Sequence, residues 1–198
     1  MANSRLMDFY GDETRWFLGE VVDVNDPEKI GRVKVKVFGV YDNIETDDLP
    51  WAQIVVPITQ GVHEGKGQYL GILKGTQVFG MFLDGKDSQL PMVIGTVPKK
   101  GDENSKASAT ENTYPHNKVY QTERGHYKEY DDTKDNERIR EQHSSGTYYE
   151  IDKDGNMVID ATKSEPKIRN IEIKASGKIT VTAPIVDLTG SENVKINS

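Results

Sequence analysis

The 198-residue chain contains no cysteine, which excludes disulfides, thiol nucleophiles and thiolate metal sites. Long apolar runs are missing as well. No stretch approaches the length of a membrane span, and Met1 to Arg5 is not followed by the apolar core of a signal peptide. The expectation is a chain made in the cytosol that leaves, if it leaves, by a route other than a cleaved signal. Apolar residues are only 35% and aromatics 8%, with a mean hydropathy of −0.66. With a regular strand pattern, that scarcity points to an elongated molecule with a thin core rather than to disorder. Positive charge is in deficit: 25 Lys and Arg face 32 Asp and Glu, a net charge of −7. An acidic chain repels phosphate backbones and anionic membrane surfaces, so nucleic acid is not an expected partner.

Catalytic and ligand motifs are also lacking. There is no nucleophile elbow, phosphate loop or dinucleotide fingerprint. The four histidines (63, 116, 126, 143) do not fall at ligand spacing. Asp131-Asp132 and Asp152-Lys153-Asp154-Gly155 lack the twelve-residue spacing and closing Glu of a calcium loop, so turns are expected there. No segment sustains a 3.6-residue period. No catalytic residue, metal site or cofactor is expected.

What the chain does have is a period of two. Trp16 to Val24 alternates, with Trp16, Leu18, Val22 and Val24 expected on one apolar face and Glu20 as the exception. Asn25-Asp26-Pro27 supplies turn chemistry, and Arg32 to Val37 is the cleanest alternating segment, so the two read as a hairpin. Further strands are expected at 52–56, 76–83 and 91–97, with a glycine-rich loop over 57–75. Five short strands without a helix in about 100 residues fit a small closed barrel. The stripe Arg32, Lys34, Lys36 could attract a nucleic-acid strand, but no stacking aromatic interleaves with it. A solvated face, or a contact with an acidic protein, is the expectation.

Beyond Lys99 to Thr113, which lacks apolar periodicity and reads as a linker, a second pattern begins after Gly125. Apolar pairs recur as Ile171/Ile173, Ile179/Val181, Val186/Leu188 and Val194/Ile196, stepping by 8, 7 and 8 residues. A spacing of two puts both members of a pair on the same face of a strand. Strands this short, with no helix to cover them, can bury that face only against copies of the same chain. These eight residues are the expected inward-facing core of an oligomer.

The residues then match a known family in both halves. Trp16 to Asp23, Asn25-Asp26-Pro27 and Gly31 to Gly39 resemble the opening of the OB-fold domain in central spike proteins of contractile phage tails. Leu49 to Ala52, Pro57-Ile58, Gly75 to Val78, Phe82 to Asp84 and Pro91 to Thr96 continue the resemblance. Independently, Glu123 to His126, Asp131 to Thr133, Asn136 to Ile139, Ser144 to Asp152 and Gly155-Asn156 are similar to the entry of the trimeric β-helix in such spikes and in the VgrG spikes of type VI secretion.

The resemblance implies an all-β fold: an N-terminal arm (1–15), a five-stranded OB-fold barrel (16–97), a linker (98–122) and an intertwined trimeric β-helix, a triangular prism (123–198). It implies a homotrimer that acts as the membrane-piercing spike of a contractile injection machine. The freestanding spike favours a phage tail baseplate over a bacterial system. T-even relatives carry a lysozyme domain between barrel and β-helix. Here about 25 residues separate the two, so that domain and its catalytic carboxylate are not expected. A separate hub protein at the barrel end, a PAAR-repeat tip protein at the other end, the target outer membrane, and residence in a virion assembled in the host cytoplasm are implied in the same way. The rival function is an OB-fold module binding nucleic acid or carbohydrate on a trimerising β-stalk.

Overall fold

The computed structural model describes residues 14–67, 71–101, 114–162 and 170–189. It divides into two units, Met1–Glu103 and Asn104–Ser198. Among the described residues there is no α-helix.

The first unit is a closed barrel of five strands: β1 (Arg15–Asp23), β2 (Val33–Val37), β3 (Trp51–Ile54), β4 (Gln77–Phe82) and β5 (Pro91–Thr96). The strand order is β1-β2-β3-β5-β4, and β4 closes onto β1. All pairings are antiparallel except β3 with β5. The five strands fall where period two places them, and the closure matches the expected OB-type barrel.

The inward face of β1 is the opposite of the expected one. Phe17, Gly19 and Val21 point into the core, whereas Trp16 and Leu18 lie outside at 54% and 44% exposure. Packing decides this. Phe17 meets Phe82 with ring centroids 4.9 Å apart, and Tyr41 closes edge-on against the same ring at 5.8 Å. The inward register also needs small residues where backbones crowd. A Cβ on Gly19 would sit 2.5 Å from Val35 Cγ1, and one on Gly80 would sit 2.5 Å from the Phe17 ring. Val33, Val35, Val37, Val78 and Val93 complete the interior, all buried. Tyr41 donates its hydroxyl to the Ser88 carbonyl, and burial, followed by the nearby Asp84 charge, pushes its pKa up to about 12.

The turn after β1 is held by one carboxylate. Asp26 accepts from the backbone N–H groups of Glu28, Ile30 and Arg32 and pairs with the Arg32 guanidinium at 2.8 Å. The Arg32 side chain, ahead of the backbone donors, holds the Asp26 carboxyl well below the usual carboxylate range. A depressed folded-state pKa contributes stability that is present above the unfolded value of about 3.9 and is lost as the pH falls through the folded value. Asp26→Asn is therefore expected to lower the melting temperature at pH 7 and to flatten its decline below pH 4. Thermal melts followed by circular dichroism across that range check it.

The second unit contains a five-stranded antiparallel meander in the order β10-β9-β8-β7-β6. Its strands are β6 (Asn117–Gln121), β7 (Tyr127–Asp131), β8 (Arg138–Gln142), β9 (Tyr148–Ile151) and β10 (Met157–Asp160). Three connections share one geometry. In 122–126, 143–147 and 152–156, the first residue donates its N–H to the carbonyl of the fifth, and the fourth, a glycine, donates to the carbonyl of the first. The glycines at these fourth positions have φ of 82°, 92° and 81°, which side chains resist. β6 lies inside the stretch expected as linker, so strand structure resumes by Asn117.

Candidate functional site

The meander has two unlike faces, and their difference locates the surface that matters. One face carries Asn117, Glu129, Asp131, Arg138, Arg140 and Glu150, paired across strands by register. Arg138 binds Glu129 at 3.0 Å and Arg140 binds Glu150 at 2.9 Å. The Arg140 guanidinium also lies 3.8 Å over the Tyr148 ring, and Tyr127 donates its hydroxyl to Gln142. Glu129 and Asp131 are buried within this network. Arg138 is shared between Glu129 and Asp131, and Arg140 pairs with Glu150, so these charges are engaged within the face. Such networks contribute more to register than to net stability.

The other face is mainly apolar, with Lys118, Lys128 and Glu141 among its side chains. The register aligns Tyr130, Ile139, Ile151 and Met157 in one row across β7 to β10. Tyr120, Lys128, Glu141, Tyr149 and Ile159 form the next. Tyr149 donates its hydroxyl to Glu141, a bond that raises the tyrosine pKa. Met157 and Ile159 are more than half exposed. Exposed apolar side chains grouped on one face of a sheet mark an interaction surface.

The sequence already carried the sign of it. Tyr149/Ile151 and Met157/Ile159 show the same spacing of two as the pairs further along the chain. They lay upstream of the recurring repeat, where no regular step singles them out.

Six of the eight expected core residues fall within the described chain. Ile171, Ile173, Ile179, Val181, Val186 and Leu188 are all exposed, from 52% at Ile179 to 73% at Ile173. Residues 170–189 form no strand with any described residue. Val194 and Ile196 lie outside the described residues.

The basic stripe of the barrel is neither a solvated face nor open to an acidic partner. Lys34 donates its ammonium to the carbonyls of Thr46 and Asp47, and Lys36 donates to that of Ile44. Arg32 is taken by Asp26 and Glu28. The two lysines clamp the acidic loop 41–48 onto β2, which sequence alone did not reveal. An aromatic does join the stripe: Trp51 pairs opposite Lys34, whose ammonium sits 5.1 Å from the ring centre. Lys34 is buried, however, so the cluster is a closed packing unit, and the nucleic-acid reading loses the cations it relied on.

Among the described residues no group of three or more His, Asp or Glu side chains is placed to hold a metal ion. His126 and His143 do meet, edge to face with ring centres 4.4 Å apart, where two neighbouring hairpin turns touch. His126 Nδ1 accepts the Ser144 N–H across the two turns, and His143 Nδ1 accepts the Ser145 N–H within its own turn.

Comparison with known proteins agrees with this architecture. A model of the Gp5 N-terminal OB domain matches residues 32–165. The chain is 37% identical over 100 residues to the pre-baseplate central spike protein Gp5 of Enterobacteria phage T4, covering 46% of this chain and 17% of that protein. It is 24% identical over 269 aligned positions to protein Gp5 of Vibrio phage KVP40, covering 86% of this chain and 64% of that one. The chain thus spans less than two thirds of the length of either relative.

Proposed function

From its membership of the Gp5 N-terminal OB domain family, we propose that the chain is the central spike of a phage tail baseplate, a homotrimer whose work is mechanical. The observation that carries this reading is the run of apolar pairs from Ile171 to Leu188, exposed and unpaired in a single copy. Three copies give those pairs a closed interior. Together with Val194 and Ile196 they become successive inward layers of a three-chain prism (residues 123–198), with Glu172, Thr180 and Asp187 facing water. The apolar rows of the meander extend the same need for partners upstream.

In that arrangement strand edges pair with neighbouring chains, leaving no open lateral edge. Interwoven chains unfold slowly, which is the kind of stability a device fired once requires. Sheath contraction would drive the prism into the target envelope. The barrel (residues 16–97) would seat it on a separate hub protein, with the loop 57–75 as a contact surface. A PAAR-repeat protein would cap the far end.

The spike would be assembled in the host cytoplasm and carried in the virion. No catalytic role is assigned to it. The alignment with the KVP40 protein runs over 269 positions, more than this chain's 198 residues. That relative therefore contains segments without a counterpart here. Electron microscopy of phage particles labelled with antibody to this chain tests the assignment. Label at the baseplate centre is expected, and label confined to the capsid or absent from particles would refute it.

A further inference from the structure

The outward face of the barrel bears an uncharged wall. Phe38, just past the end of β2, donates its N–H to the Leu18 carbonyl of β1, and Leu18 pairs opposite Phe79 of β4, which sets three apolar side chains in one row. Trp16 opposite Met81 forms the next row, and on β5 the exposed Ile94 lies at the register shift beside Gly95, which pairs with Phe79. The Trp16 and Phe79 rings are stacked, 5.3 Å apart and 9° from parallel. All but Met81 are more than a third exposed to water. Single exposed hydrophobics are ordinary on a protein surface, whereas a contiguous patch with ordered aromatics marks an interface.

We propose that this wall is where the barrels of neighbouring copies meet, so that the trimer is held at its barrel end as well as along its prism. The inference rests on the trimeric reading above. Two observations favour a second copy as occupant. With a net charge of −7, an acidic face presented to its own copy would be repelled, whereas these two rows carry no charge and the row bordering them sets Glu20 against Lys36. In addition, only 20 residues separate the end of β5 at Thr96 from the start of β6 at Asn117. Trimerisation of the second unit would then hold three barrels at an effective concentration on the order of millimolar, where a modest apolar contact suffices.

The absence of native cysteine makes the test direct. Phe79→Cys and, as a second reporter, Ile94→Cys are introduced singly into the full chain, with Asn43→Cys on the exposed loop as reference. Each is reacted with a water-soluble maleimide, both alone and in combination with Ile179→Asp and Val181→Asp, while sedimentation reports the assembly state. The wall thiols are expected to react at least about tenfold more slowly than the reference in the trimer and at the reference rate in the monomeric variant. Fast reaction in a particle that sediments as a trimer would overturn the barrel contact and leave the trimer standing. Slow reaction in both states would mean the chain covers its own wall, which also overturns it. A parent chain that sediments as a monomer would overturn both readings.

Discussion

With Asp in place of both Ile179 and Val181, the full chain is expected to sediment as a monomer while the barrel still melts cooperatively. In one copy both side chains stand in water, at 52% and 70% exposure, so the substitution disturbs nothing within the single chain. In a closed three-chain prism the same change places six carboxylates in an apolar interior. Each ionised group transferred without a partner costs several kcal/mol, and protonation to escape that cost still leaves buried polar atoms unsatisfied. The sum exceeds what the remaining apolar layers can offset. The contrast between an intact barrel and lost assembly identifies the pairs as interface rather than fold. A variant that still forms trimers would place the other face, with Thr180, on the inside, because a one-residue slip exchanges every side chain between faces.

The second large effect lies in the barrel. Phe82→Ala is expected to cost about 3–5 kcal/mol, the range for truncating a fully enclosed aromatic. Phe82 has no exposed surface, and it joins the rings of Phe17 and Tyr41. It sits on β4, the strand that pairs with both β1 and β5 and so closes the barrel. Because a domain of this size has a total stability of roughly 5–15 kcal/mol, the melting temperature should fall by more than about 10 °C. Differential scanning calorimetry of the barrel transition measures it. A shift of less than about 3 °C would mean that the ring cluster is not the centre of the core.

The strands of the barrel were legible because β-branched residues at period two, broken by Asn, Asp, Pro and Gly, have few other solutions. The face that β1 turns inward was not. Trp16 and Leu18 outweigh Phe17 and Val21 in bulk, but the side is chosen by the ring cluster at Phe82 and by the room left at Gly19 and Gly80. The contacts of Phe17 with Phe82 and Gly80 join residues more than sixty positions apart, which no local pattern reports. The lysine stripe misled for the same reason. The carbonyls that hold Lys34 and Lys36 belong to an irregular loop whose course follows from the tertiary fold.

In the second unit, the spacing of Ile171 to Leu188 picks out side chains that stand exposed in a single copy. The charged face of the meander was hidden from a search for apolar alternation, since its order comes from Glu129, Arg138, Arg140 and Glu150 meeting across strands. The apolar face opposite it became visible only once the register aligned Ile139 with Ile151 and Met157.

All of this turns on whether three copies share one prism. Sedimentation equilibrium of the full chain at micromolar concentration measures it most directly. The expected result is a single species of three times the 22.2 kDa chain mass, unchanged on dilution. A species at the mass of one chain would contradict the account.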